Sequence, residues 1–230
     1  MSEMGCCPHR DFETMEEQKD SKLLILGAGA FAEDIADIAQ ECGFEVVGFV
    51  ENQNRQRCQD QLFEKPIFWI DDIADWVGRC SVICALGTTF RNSFVAQAET
   101  MRFTFATLIH PSARVSTRCC IAPGSIISAG VIIAAGAQIG KHVLVNRGSL
   151  IGHHAQIGDF VSVGPGVNLG GNSRIGKRVY LGMGSIIRNN CVVGKQSVVG
   201  AGAVVVKDVP EQVQVTGVPA RITKENIEGI

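Results

Sequence analysis

The 230-residue chain has no basic excess: 21 Lys and Arg stand scattered against 23 Asp and Glu, for a formal charge of -2. Proteins that grip nucleic acid carry a basic patch or stripe, so nucleic acid is not expected as a partner. No apolar run approaches the roughly 20 residues that span a bilayer, and the first residues lack a charged start leading into an apolar signal core. Membrane insertion is therefore not expected, and a cytoplasmic location is. Paired CxxC spacing is also missing, although there are nine cysteines, Cys6, Cys7, Cys42, Cys58, Cys80, Cys84, Cys119, Cys120 and Cys191. Free thiols in a reducing compartment account for them better than disulfides or a structural zinc. Cys6, Cys7 and His9 form the sharpest local cluster, but they fall in a polar leader, residues 1–21, expected to be mobile rather than metal-binding.

The second half of the chain also lacks the two common apolar periods, 3.6 for a helix and 2 for a half-buried strand. Its period is six. An aliphatic residue returns at every sixth position from Ile109 to Val205, seventeen times without an insertion, and four residues after each comes a small one, from Ala113 to Val209. A solenoid of short strands fits this pattern, with one hexad per side and three hexads per triangular coil. Residues eighteen apart then stack at the parallel-strand spacing of about 4.8 Å. The second hexad position is often glycine, as at Gly140, Gly152, Gly158 and Gly170, which predicts unusual backbone angles at a tight corner. The coil is assigned to residues 109–210 and a C-terminal cap to 211–230.

Residues 22–108 read as an α/β domain. A buried strand over Leu23 to Leu26 meets Gly27, Ala28 and Gly29, then a helix over about 31–42 and a second strand closing on Glu51. Glycines at such a turn let an anionic group approach a helix N-terminus, and an acidic residue at the end of the second strand suits a ribose hydroxyl. Gly27, Gly29, Phe31 and Glu51 are therefore candidate substrate contacts. The domain is too short for both halves of a dinucleotide fold, so half a Rossmann unit holding a mononucleotide is expected. A further strand over Ser81 to Ala85 leads to Gly87 and a helix bearing Arg91, at the same sheet edge. Arg91 is open to two readings, phosphate contact or solvated helix residue. Trp69 and Trp76 read more readily as packing than as a base platform, and a last strand is expected over 103–107. His110 precedes proline and suits the turn into the coil.

Within the coil, His142 occupies a fourth hexad position, expected to be an exposed corner. His153 and His154 share a corner after Gly152, and the eighteen-residue repeat sets Gly171 beside His153. A base next to a backbone amide makes a plausible acyl-transfer pair.

The glycine turn at 27–32, the hexads from Ile109, the stretch from Val145 and Asn146 through Gly152 and His153 to Phe160, and the ending Gly217, Val218, Pro219, Ala220 and Arg221 together resemble the NeuD/PglD-type sugar acyltransferases, left-handed β-helix enzymes of the hexapeptide-repeat superfamily. The resemblance covers about 22–221. It implies a half-Rossmann domain followed by a left-handed parallel β-helix, a homotrimer, acetyl-CoA as acyl donor in grooves between adjacent coils, and a nucleotide-linked amino sugar as acceptor. His153 falls on the family's catalytic histidine and Gly171 on its oxyanion donor. Asn146 matches a family asparagine and has two readings, orienting His153 or forming a corner. Gly171, Gly200, Ala201, Gly202, Gly217, Pro219 and Arg221 are candidate CoA contacts. His154 joins the substrate contacts; it stands where the family commonly has Asp or Glu. Ser162 replaces a second histidine found in some members, and Ala30, Phe31 and Ala32 replace the usual Gly-His-Gly. Alternatives are an O-acetyltransferase of a sialic-acid-like sugar and a non-catalytic trimeric scaffold binding nucleotide or CoA. A zinc hydratase on the same coil needs a histidine spacing that His142, His153 and His154 lack.

Overall fold

The computed structural model describes residues 21–230; Cys6, Cys7 and His9 lie outside them. Strand β1 (Lys22–Leu26), helix α1 (Ala30–Glu41) and strand β2 (Glu45–Glu51) form a βαβ unit. Leu23 to Leu26 are all fully buried, because a parallel strand covered on both faces puts every side chain in the core. Helix α1 buries Ala32, Ile35, Ala36 and Ala39. Gly43 follows it at φ 85°, and the Phe44 N–H donates back to the Ala39 carbonyl, a glycine-terminated helix end.

Strands β3 (Gln61–Leu62), β4 (Lys65–Trp69) and β5 (Ser81–Cys84) and helix α2 (Asn92–Thr100) complete the domain. The sheet order is β3-β4-β2-β1-β5, with β3 antiparallel to β4 and the other pairs parallel. The chain first builds outward from β1 through β2 and β4, then returns to β1's other side with β5. The crevice at the carboxyl ends of β1 and β5 is thus the topological switch point, where open α/β sheets bind ligands. Gly27 sits there at φ 114°, and a Cβ on it would approach Leu86 to 3.1 Å and the Ala85 carbonyl oxygen to 3.3 Å. Over 103–107 the expected strand reduces to one bridge, Phe105 to Val82.

The rest is a triangular coil of two-residue strands in three sheets. Partners are eighteen residues apart throughout the repeat, as in Leu150 with Ile132 and Asn168, until Val198 pairs with Gln214 in the last turn. The six-residue aliphatic column and the small column fill one continuous core from Ile127 to Val215. The fourth hexad position carries the left-handed backbone, from Gly124 at φ 77° through His142, His154 and Phe160 to Gly202 at φ 65°. This corrects the expectation for the second-position glycines. They have no positive φ; instead a Cβ at Gly152 would lie 2.5 Å from the Gly171 nitrogen, and one at Gly170 2.4 Å from the Asn189 nitrogen. Close approach of the next coil, not a strained angle, requires glycine there.

The outward rows give the three faces different tasks. Leu108, Ile126 and Leu144 are buried with Ile35 and Ala39 of helix α1, so this face docks the N-terminal domain. The next face shows Ile132, Leu150 and Ile186 at 45, 41 and 45% exposure. The third presents Gln138, Gln156 and Arg174.

Candidate active site

Two features converge on the docked face. A cavity of about 440 Å³ is lined by Phe31, Gly87, Thr88, Leu144, Asn146, Ser162, Val163, Gly164, Pro165, Tyr180 and Ile230. It lies at the switch-point crevice, roofed by the start of helix α1 and floored by the coil. A second cavity, of about 180 Å³, shares Phe31 and Asn146 and adds Asp34, Asp37, Glu41, His110 and Arg147. Phe31 lines both cavities and Gly87 the larger one.

Arg91 does neither thing expected of it. It is 2% exposed, and its guanidinium donates to the carbonyls of His142, Val161 and Thr88 and to the Ser162 hydroxyl at 2.6–3.1 Å. Ser162 in turn donates to the Gly87 carbonyl at 2.9 Å. The charge faces neither phosphate nor water: it fastens the N-terminal domain to the coil. Burial brings its pKa down to about 10, so it stays cationic at neutral pH. His142 is likewise corrected from a surface corner to a buried residue, 4% exposed. Its ring stacks on Phe160 at 5.0 Å and meets Phe105 edge-on at 4.7 Å. Burial and the charges of Arg91 and Lys141 push its pKa down to about 4.

Glu51 closes strand β2 but turns its carboxylate to its own loop. It accepts from the Asn52 and Gln53 N–H groups at 2.8 Å and lies 3.6 Å from the Arg57 guanidinium. Arg57 also donates to the Ala28 carbonyl, so a cation with no sequence signal spans the glycine turn. Gly29 caps helix α1 with nothing within 4 Å of a Cβ built on it. Trp69 and Trp76 pack: Trp69 bonds Asp71 and lies under Arg55, and Trp76 meets Phe68. His110 pairs with Glu41 and bonds Ser112, tying the first coil to helix α1.

His153 and Gly171 do meet. A Cβ on Gly171 would fall 2.6 Å from His153 Nε2, so the imidazole edge lies over the glycine's α-carbon. The His153 carbonyl accepts from the Asn172 N–H at 2.8 Å, which locks the two coils in register. Two other assignments change. Asn146 lines both cavities, and its Oδ1 accepts from the neighbouring Arg147 N–H at 3.3 Å rather than reaching His153. His154 lines neither cavity; its Nδ1 lies 3.2 Å from His153 Nδ1. Gly200, Ala201 and Gly202 gather with the terminal loop on the last coil, where the Val204 N–H donates to the Gly217 carbonyl and the Ala220 N–H to the Val204 carbonyl. Arg221 is exposed beside them, bonding the Ala220 carbonyl, and Pro219 follows a cis peptide bond. This group sits at the opposite edge of the exposed aliphatic face from His153 and Gly171.

The sequence carried no sign of Ile230 at the cavity. Its main-chain oxygen accepts from the Thr88 hydroxyl at 2.6 Å, the Thr89 hydroxyl at 2.7 Å and the Thr89 N–H.

A half-Rossmann sheet edge set over a hexad coil, with an imidazole against a glycine one coil away, defines a hexapeptide-repeat acyltransferase. Residues 22–97 match the PglD N-terminal domain family, and residues 172–207 match the bacterial transferase hexapeptide (six repeats). The fold matches a histidine-to-asparagine variant of perosamine N-acetyltransferase from Caulobacter crescentus in complex with CoA and GDP-perosamine, at 27% identity, 89% of this chain, 98% of that chain and TM-score 0.83. It also matches the acetyltransferase domain of PglB from Neisseria gonorrhoeae in complex with acetyl coenzyme A, at 28% identity, 88 and 99% coverage and TM-score 0.81. WeeI from Acinetobacter baumannii follows at 25% identity, 88 and 100% coverage and TM-score 0.79. Compared by sequence with curated proteins, the chain matches none. Over most of its length the chain is thus similar to sugar acetyltransferases of the left-handed β-helix superfamily, and it is an acyltransferase. No helix among the described residues is long and apolar enough to cross a membrane.

Proposed function

We propose that the protein is an acetyl-CoA-dependent N-acetyltransferase acting in the cytoplasm on a nucleotide-linked amino sugar destined for a glycan. The observation that carries this reading is the placement of His153 Nε2 over Gly171, across the exposed aliphatic face from the edge that holds the nucleotide-domain cavity. The neighbours bound to CoA and GDP-perosamine support the substrate class.

In this reading the sugar nitrogen attacks the thioester carbonyl and gives up its proton to His153 Nε2. The carbonyl oxygen gains negative charge beside the Gly171 N–H, which has no backbone partner among the described residues. The C–S bond then breaks, and His153 returns the proton to the departing thiolate. General-base help is worth about 10²- to 10⁴-fold, and one oxyanion donor about 3 kcal/mol. The nucleotide lies in the larger cavity between Phe31, Gly87 and Tyr180. Acetyl-CoA contacts Gly200, Ala201, Gly202 and the loop carrying Gly217, Pro219 and Arg221, at the opposite edge of the exposed aliphatic face.

Those CoA residues flank the exposed row of Ile132, Leu150 and Ile186 rather than facing His153. A homotrimer in which that row is buried sets one edge of each coil against the opposite edge of the next, and so assembles one groove from both edges. The test is turnover of a panel of nucleotide amino sugars with acetyl-CoA, followed as thiol release, with light scattering for mass. An amide product, lost in His153→Ala, supports the reading; an ester product, or full activity in His153→Ala, overturns it.

A further inference from the structure

We infer that His154 is a positioning residue for the reaction: its Nδ1 accepts the Nδ1–H of His153 and thereby keeps His153 Nε2 unprotonated over Gly171. This rests on the proposed role of His153 and goes beyond it, since neither cavity claims His154.

Three observations meet here. The two Nδ1 atoms are 3.2 Å apart with the rings nearly perpendicular, at 78°. His153 Nε2 is the nitrogen turned to Gly171. The His154 ring is seated from behind by Gly136, where a Cβ would come within 2.7 Å of its Cδ2, and its backbone takes φ 55°. A hydrogen bond between two Nδ1 atoms needs one donor and one acceptor. If His154 donated, His153 would carry its own proton on Nε2 and could take none from an amine. If His154 accepts, with its proton on its own Nε2, the His153 base faces the oxyanion donor. In a neutral imidazole the bond made by one nitrogen decides which tautomer is present. When His153 gains the second proton, the same Nδ1–H still has its acceptor, so the cation formed in the transition state keeps a partner. The proton never leaves His153 Nδ1; the one transferred moves between substrate nitrogen, His153 Nε2 and thiolate.

The position is chemically distinct from a structural corner, and the experiment separates the two. His154→Phe keeps a ring above Gly136, and Phe160 shows that the same hexad position, on another edge, accepts phenylalanine at φ 59°. His154→Asp removes the ring and supplies a carboxylate acceptor. The expected result is a fall in kcat of about 10-fold or more in His154→Phe, because a misplaced tautomer disables the base, with KM for acetyl-CoA unchanged, and recovery of most of the kcat in His154→Asp. Equal impairment in both, or wild-type kcat in His154→Phe, overturns the inference. A second measurement does not need turnover. The ring-nitrogen resonances of His153 should report the Nδ1–H tautomer in the wild type and lose it in His154→Phe; an Nε2–H tautomer in the wild type refutes the assignment. If no amino sugar is acetylated yet the tautomer is as expected, the substrate reading fails and the positioning of His153 stands.

Discussion

His142 makes acid stability a direct test of how the two domains are joined. Its ring is enclosed by Phe105 and Phe160, its Nδ1 has no hydrogen-bond partner among the described residues, and its Nε2 lies 3.9 Å from the Glu99 carboxylate. Asp159 favours the charged ring, but burial, Arg91 and Lys141 outweigh it, and the folded pKa falls from 6.5 to about 4. A base with a depressed folded pKa binds its proton more readily when unfolded, so stability is lost as pH falls from about 6.5 toward 4 and levels below that. Each tenfold difference in proton affinity between the two states is worth about 1.4 kcal/mol, so the loss is about 2 kcal/mol at pH 5 and about 3 kcal/mol at pH 4. The Asp159 carboxyl, held low mainly by Lys177 and the Lys141 N–H against its burial, loses its stabilising effect only at lower pH. The matching variant is His142→Phe. Gly124 below leaves room for a ring, and Phe160 holds the same backbone conformation one coil on. Urea unfolding at pH 7.5 and pH 5 is the assay. The wild type should lose about 2 kcal/mol more than His142→Phe over that interval; parallel losses would falsify the burial argument.

Arg91→Met should destabilise the protein by about 3–5 kcal/mol, as expected when a buried charge network is broken, and calorimetry should show the N-terminal domain melting apart from the coil; Arg91→Lys should recover little, since one ammonium cannot serve four acceptors. Gly171→Ala should reduce kcat by at least about 100-fold, because the new Cβ occupies the position 2.6 Å from His153 Nε2 and disturbs both base and oxyanion donor; unchanged kcat would remove Gly171 from the mechanism. Cys84, buried and with its thiol pushed up to about 11, should resist iodoacetamide at pH 8 in the native protein and react on unfolding, as peptide mass mapping can show.

Much of the architecture was legible because a solenoid writes its geometry into spacing. The six-residue column, the eighteen-residue stack and the meeting of His153 with Gly171 follow from position alone, since each coil contacts only its neighbours. The βαβ start was equally plain, with the buried run from Leu23 to Leu26 and a helix stopping at Gly43. What spacing could not show is which corner is covered. His142, His154 and Phe160 occupy equivalent fourth positions, and only docking of helix α2 and Phe105 makes the first a core residue. Arg91 looked like a cation at a ligand edge because its acceptors, the carbonyls of His142 and Val161, lie 51 and 70 residues away. The second-position glycines were assigned to the right place for the wrong cause: a repeat pattern shows that glycine is needed without distinguishing a positive φ from a neighbour 2.5 Å away.

The three edges of the prism carry the same backbone and differ by the side chain set at the left-handed corner. One edge is glycine from 130 on, at 130, 148, 166, 184 and 202, which keeps the chain low beside the larger cavity and the residues proposed to hold CoA. Another reads His142, Phe160, Arg178 and Gln196, and its first two members close the domain junction. The third runs from Gly136 through His154 to Asn172 and Asn190. Only there does a bare glycine sit under an imidazole that reaches the neighbouring His153. In the proposed mechanism, a residue without a Cβ at 136 therefore bears on His153 through the ring it seats. On the proposed tautomer, that dependence gives His154 a sharper role than a substitution in a family pattern: the corner would hold an acceptor against the base, and the identity of the acceptor could vary while the geometry stays.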